Sequence, residues 1–296
     1  MDTQKVVVFG SSGLLGPYVC KAFTDAGMEV VAVGKDNAEI ICDLTSPSQT
    51  QAFIDKHQPD IVVNLVAMTN VDACEEHPAT ADIMNRQTAA SVASALPEDV
   101  YLIHVSTDQV YPDTQGPHSE ENIAPVNVYG KSKLKGEEEA LKHARTLVLR
   151  TNIFGPSLTK GRTSLSDFFV KSLREQAPMK LFTDVLFSPV HMETLSFYMV
   201  QCRRRGVTGT FNLASRAGFS KADFATLMAK ELGWSLSNSE YVPSSTIADR
   251  AHRPKDLRMD VSAIENALGE EMPTLKQEVV NLCQTLQETT RQKTAV

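Results

Sequence analysis

The chain lacks most of the features that assign a protein quickly to a class. Its five cysteines, Cys20, Cys42, Cys74, Cys202 and Cys283, are scattered and include no C-x-x-C. This fits neither a disulfide framework nor a cysteine zinc site, and points to reduced thiols in a cytoplasm. Basic charge is in deficit, 29 Lys and Arg against 36 Asp and Glu for a net charge of −7, so a nucleic-acid backbone is not the expected partner. No apolar run approaches the length of a bilayer, and MDTQKVVVFG is too short for a signal peptide, so no membrane partner is expected. The seven histidines show no ligand spacing, and no metal is expected. Internal repeats and low-complexity segments are missing as well. With 42% apolar and 22% charged residues over 296 positions, the remainder is an ordinary globular composition of about two domains.

The positive signals begin at residues 5–9, KVVVF, a β-branched run that stops at Gly10-Ser11-Ser12-Gly13-Leu14-Leu15-Gly16. Three glycines at intervals of three, followed by a helix with Pro17 in its first turn, make a strand–turn–helix that suits a pyrophosphate. Backbone can approach the phosphates at the glycines, and the helix N-terminus supplies amides and dipole. A second strand, 28–33, ends at Gly34-Lys35-Asp36. A basic residue near this strand end accommodates a 2′-phosphate whereas an acidic one holds the ribose 2′-hydroxyl, so Lys35 favours NADP(H) and Asp36 keeps NAD(H) open.

Further along, EIICDLTSP delivers Asp43 and Leu44 to a strand end, a polar helix follows at 47–57, and 59–68 (PDIVVNLVAM) reads as a central strand apolar on both faces that carries Val66 and Ala67. A helix over 78–96 leads to the strand 100–106. Alternation of this kind predicts an α/β fold, a Rossmann-type doubly wound parallel sheet with ligands at the carboxyl ends of its strands. Residues 1–152 would form the dinucleotide-binding core, completed by 183–215. Residues 153–182, loop-like and polar, and 216–296, with helices near 220–232, 261–268 and 273–289, would form a smaller, mainly helical substrate lobe.

The stretch from 105 to 137 holds the chemistry. Ser106 and Thr107 end a buried strand, and a loop leads to a helix bearing Tyr129 and Lys133. Four residues apart on a helix, these two share a face with roughly 5–6 Å between Cβ atoms, so an ammonium can favour a phenolate. That is an acid–base pair suited to a redox cofactor.

Taken jointly, Gly10–Gly16, Asp43-Leu44, Asn64–Ala67, Thr69–Glu75, Ser106-Thr107-Asp108, Tyr129–Glu137, Arg253-Pro254 and Arg258-Met259-Asp260 resemble the extended short-chain dehydrogenase/reductases of nucleotide sugars, and most of all their branch that reduces dTDP-linked 4-keto-6-deoxy-sugars. The resemblance implies Tyr129 as proton donor to a keto oxygen, Lys133 on the nicotinamide ribose lowering the phenol pKa, and Thr107 as hydrogen-bond donor to the same oxygen. Gly10, Ser12, Gly13, Leu14, Leu15, Gly16, Lys35, Asp43, Leu44, Val66 and Ala67 would line the cofactor site together with Tyr129 and Lys133. Thr69, Asp108, Gln109, Asn152, Arg162 and Arg253 would face the substrate, the two arginines because guanidinium forks suit phosphates.

Within that family, 4,6-dehydratases place Asp-Glu after the threonine, and GDP-fucose synthases carry a cysteine where this chain has Gln109. An amide is neither base nor thiol. Keto reduction or C4 epimerisation survives, alongside a non-catalytic role like that of the regulatory β subunit of methionine adenosyltransferase, which belongs to the same subgroup. Two departures, Gln109 in place of an aromatic and Arg150–Pro156 without a tryptophan, fall on the sugar side and leave the sugar open. A homodimer is left open too.

Overall fold

A computed structural model describes residues 3–34, 39–248 and 250–294. The first half alternates as the sequence predicts: β1 (Lys5–Phe9), α1 (Gly16–Asp25), β2 (Glu29–Gly34), β3 (Ile40–Ile41), α2 (Pro47–His57), β4 (Ile61–Asn64), α3 (Val71–Glu76), α4 (Pro78–Asp82), α5 (Thr88–Ala95), β5 (Tyr101–Val105), α6 (Val128–Ala140) and β6 (Thr146–Arg150). The second half contains β7 (Ile153–Phe154), α7 (Leu165–Arg174), β8 (Met179–Phe182), β9 (Leu186–Phe187), β10 (Val190–His191), α8 (Met192–Arg205), β11 (Gly209–Asn212), β12 (Phe219–Ser220), α9 (Lys221–Leu232), β13 (Ser239–Val242), β14 (Asp256–Leu257), α10 (Ser262–Leu268) and α11 (Leu275–Thr294).

Seven parallel strands form the central sheet in the order β11-β6-β5-β4-β1-β2-β3. Alternate side chains of each strand leave opposite faces, so a strand apolar throughout must be covered twice. Val6 and Val8 pack with Val19, Phe23, Leu195 and Met199 from α1 and α8, while Val7 and Phe9 pack with Ile54, Val92 and Ala140 from α2, α5 and α6. The order reverses between β1 and β4, since the chain leaves β1 toward β2 on one side and resumes with β4 on the other. At such a switch point the two flanking loops part and open a crevice at the carboxyl ends of the strands. Gly10 and Leu65–Ala67 lie there.

Several expectations are corrected. Only Ile61–Asn64 of the run 59–68 pairs as strand, because the Asn64 side chain accepts the Val66 N–H at 3.1 Å and turns the chain out of the sheet. The helix expected over 78–96 is interrupted by a π-helical turn at Ile83–Gln87. Its Asn85 is buried, accepting the Met68 N–H (2.7 Å) and donating to Met68 O (3.1 Å) and Ser132 Oγ (2.8 Å). A widened turn of this kind re-aims one side chain without ending the helix.

Residues 153–182 are not loop-like, since β7, α7 and β8 fold there. α7 starts at a capping box in which Ser164 Oγ accepts the Asp167 N–H and Asp167 accepts the Ser164 N–H. Helices α9, α10 and α11 occupy the predicted places, but the lobe also contains strands, β8 paired with β13 and β9 between β12 and β14. Pairs so short and so far apart in sequence carry no period to read. Phe154, Phe169, Phe187, Phe224, Met228 and Leu275 form a second apolar core beneath them.

Candidate active site

The carboxyl ends of β1, β4, β5 and β6 open into one cleft of about 1470 Å³, which residues 244–247 and 250–257 border from the lobe side. Gly10, Ser12, Gly13, Leu14, Leu15, Gly16, Val66, Ala67, Thr69, Thr107, Asp108, Gln109, Tyr129, Lys133, Asn152, Arg162 and Arg253 all line it. Asp43 and Leu44 stand outside it, in a smaller adjoining hollow that shares Gly10, Val66 and Met84. Lys35 and Asp36 lie outside the described residues.

The glycine turn fits a dinucleotide for steric reasons. Gly10 adopts φ +83°, and a Cβ there would come within 3.2 Å of the Leu65 and Val66 backbone. A Cβ on Gly16 would lie 2.1 Å from Ser11 O, so the turn closes onto α1 only without a side chain. The start of α1, Gly16 and Pro17, borders the cleft beside this turn, where a helix N-terminus favours an anion. Over the turn lies the segment after β7, tethered where Thr159 Oγ1 donates to Gly13 O (2.9 Å) and Arg162 Nε donates to Ser12 O (3.1 Å). The structure thus places Arg162 against the glycine turn. Thr159 was not foreseen, since nothing local marks a threonine that acts across 146 residues.

The acid–base group is built on β5 and α6. Asn127 caps α6 by accepting the Gly130 N–H at 2.8 Å, and its amide nitrogen donates to Gln109 Oε1 and His252 O, both at 3.0 Å. One residue therefore starts the catalytic helix, fixes Gln109 and ties down the 250s segment. Gly130 and Gly136 allow close packing, since Cβ atoms there would lie 2.1 and 2.3 Å from the Gln109 and Asn85 carbonyls.

Tyr129 and Lys133 are both buried. Burial raises the Tyr129 phenol well above its ordinary value, while the neighbouring Thr107 hydroxyl works against that rise. Burial also brings Lys133 down to about 8, with Glu137 opposing. Its Nζ donates to Val105 O at 2.6 Å, which aims the ammonium along the end of β5.

Beneath this pair, Arg150 forks onto Glu137, Nη2 to Oε2 at 2.7 Å and Nε to Oε1 at 3.0 Å, with both side chains buried. Ser106 Oγ also donates to Glu137. On the substrate side, Asp108 is buried, accepts from Asn152 Nδ2 at 2.5 Å and from Thr107 Oγ1 at 3.2 Å, and is pushed up to about 6 by burial. Arg253 donates to Asp72 Oδ2 (2.7 Å) and to Ala251 O (2.8 Å), and its hydrogen bond holds the Asp72 carboxyl below the usual range. Lys221, the first residue of α9, lines the same side, an arrival from the lobe that sequence reasoning missed. Among the described residues no group of three His, Cys, Asp or Glu side chains could hold a metal, and no helix is long and apolar enough to cross a membrane.

The family model described as the RmlD substrate binding domain matches residues 4–288. The chain belongs to that family. Among curated relatives, a probable low-salt glycan biosynthesis reductase, Agl14 of Haloferax volcanii, is 29% identical over 93% of this chain and 96% of its own length. The dTDP-4-dehydrorhamnose reductase of Shigella flexneri is 25% identical over 91% of this chain and 94% of its own length. A crystal structure of dTDP-4-dehydrorhamnose reductase from Bacillus anthracis in complex with NADP shares the fold, with a TM-score of 0.87 at 22% identity, covering 95% of this chain and 99% of that one. The RmlD family match spans both the glycine turn and the lobe.

Proposed function

We propose that this RmlD-family protein is an NADPH-dependent reductase of the 4-keto group of a nucleotide-linked 6-deoxy-sugar. The observation that carries the reading is the convergence of Thr107, Tyr129 and Lys133 in one cleft with the Gly10–Gly16 turn, next to Gln109, which is neither a base nor a thiol. The bound cofactor would supply the hydride. Tyr129 would give its phenolic proton to the keto oxygen, Thr107 would donate a hydrogen bond to that oxygen, and Lys133 would hold the nicotinamide ribose and favour the phenolate. Gly10, Ser12, Gly13, Leu14, Leu15 and Gly16 would cradle the pyrophosphate, with Arg162 in reach from the tethered segment. Asp43 and Leu44 would border the adenine, with Val66 and Ala67 beneath the cofactor. Thr69, Asp108, Gln109, Asn152 and Arg253 would meet the sugar nucleotide. On this reading residues 1–152 with 183–215 hold the cofactor, and 153–182 with 216–296 hold the substrate.

The support comes from the three named relatives, all called reductases, and from a cleft in which the buried Tyr129 and Thr107 stand together. Purified protein given NADPH and a dTDP-4-keto-6-deoxyhexose should oxidise the cofactor far faster than its Tyr129→Phe variant. Equal rates for the two would end the proposal for that substrate. Cofactor retained through purification, with product formed and no net oxidation, would point to 4-epimerisation instead.

A further inference from the structure

The reduction proposed above asks Thr107 to donate a hydrogen bond into the cleft, and the hydrogen bonds around its hydroxyl show when it can. A threonine hydroxyl has one proton and two lone pairs. One lone pair of Thr107 Oγ1 is taken by the Gln109 N–H at 3.2 Å. At 3.2 Å on another side lies Asp108 Oδ1, while Asp108 Oδ2 accepts from Asn152 Nδ2 at 2.5 Å. An ionised carboxylate only accepts, so it draws the single Thr107 proton toward itself and turns it from the cleft. A protonated Asp108 reverses the bond: its own O–H donates to Thr107 Oγ1, and the threonine proton turns to the cleft, where the Tyr129 phenol oxygen and a keto oxygen beside it are its acceptors.

We propose that Asp108 is a positioning residue for the reduction, whose neutral acid form turns the Thr107 hydroxyl toward the substrate's keto oxygen and whose carboxylate form withdraws it. The groups facing Asp108 are compatible with both forms. Lys221 from α9 favours the carboxylate, and Arg250 and Arg253 on the opposite segment act on Lys221 in turn. Tyr129 from α6 stays neutral, and Gln109 and Asn152 are uncharged. Burial is the largest influence and favours the acid, pushing the carboxyl up to about 6. An anionic sugar nucleotide that also expels water moves it further up, so the acid form gains in the Michaelis complex.

The sign follows. Turnover is highest below the Asp108 pKa and falls as pH rises through it, and the fall in kcat lies at higher pH than the fall in kcat/KM. Asp108→Asn separates this from an ordinary acid–base or structural role. Its amide donates permanently to Thr107 while its oxygen still accepts from Asn152, so the rate it has at low pH should persist as pH rises, without the wild-type decline. By about two pH units above its midpoint the wild type should have fallen by up to the roughly hundredfold worth of one such donor, while the variant holds its own low-pH rate. Lys221→Met should shift the decline to higher pH without abolishing it. An inactive Asp108→Asn protein that still binds NADPH, or one with an unchanged profile, would overturn the proposal.

A measurement without turnover keeps it apart from the reductase reading on which it rests. Carbon-13 titration of the Asp108 carboxyl in NADP-loaded protein should show its midpoint rise in Thr107→Val, which removes a hydrogen bond to the carboxylate. An unmoved midpoint refutes the coupling even if the enzyme turns over. A shifted midpoint in a protein that reduces no 4-keto sugar upholds the coupling and removes the reductase reading alone.

Discussion

Removing one member of the Glu137–Arg150 pair should cost more than removing both. Arg150 makes a fork on Glu137, at 2.7 and 3.0 Å, and donates from Nη1 to Glu120 O at 2.6 Å, with side-chain exposures of only 3% and 2% for the pair. In Glu137→Leu the guanidinium stays charged and buried without its counter-ion, and in Arg150→Leu the carboxylate does. Either single variant should lose about 3–5 kcal/mol, and the pair replaced by two leucines should come back to near neutral. The double variant still leaves Ser106 Oγ and Glu120 O without their partners, each worth about 1 kcal/mol, so its net loss should be about 2 kcal/mol. At roughly 2 °C per kcal/mol for a chain of this size, each single variant should melt roughly 6–10 °C early and the double about 4 °C early. Urea unfolding and calorimetry of all four proteins read this directly. A double variant whose loss equals the sum of the singles would refute the argument that desolvated charge dominates here. Lys133 sits one turn before Glu137, so the singles should also lose turnover while folded.

Other outcomes are sharper in kinetics. Tyr129→Phe should lower kcat by about 10²–10⁴-fold and leave NADPH affinity unchanged, checked by fluorescence titration of the cofactor. Gly16→Val should abolish NADPH binding with the lobe still folded, because even a Cβ would meet Ser11 O at 2.1 Å; cofactor-induced thermal shift tests it. Arg253→Ala removes the ion pair to Asp72 and should raise KM for the nucleotide sugar about tenfold with kcat kept, a split that steady-state kinetics resolves. Lys35→Asp should narrow the preference for NADPH over NADH, measured as a ratio of kcat/KM values.

Much of this protein was legible from local pattern. KVVVF ending in a glycine turn identifies a strand and the helix after it, because burial on both faces and the exclusion of a Cβ are demands made within a dozen residues. Tyr129 and Lys133 declare a shared helical face through their spacing alone. Gln109 could be recognised from type, since an amide does not do the work of a carboxylate or thiol. The Ser164/Asp167 capping box was equally local, and reading it would have placed α7 where a loop was expected.

What only the tertiary structure decided are the pairings across sequence. Asp108 meets Asn152 and faces Lys221, Thr159 reaches Gly13, and Asn85 clamps Met68 from a π-helical turn. Hydrophobic period tells which face of an element is buried, not which polar group waits on the other side of the burial. We infer the direction of the Thr107 proton from two such meetings, of Asp108 with Asn152 and with Lys221, so composition and spacing name the residues of this site while the packing of lobe on sheet sets their surroundings.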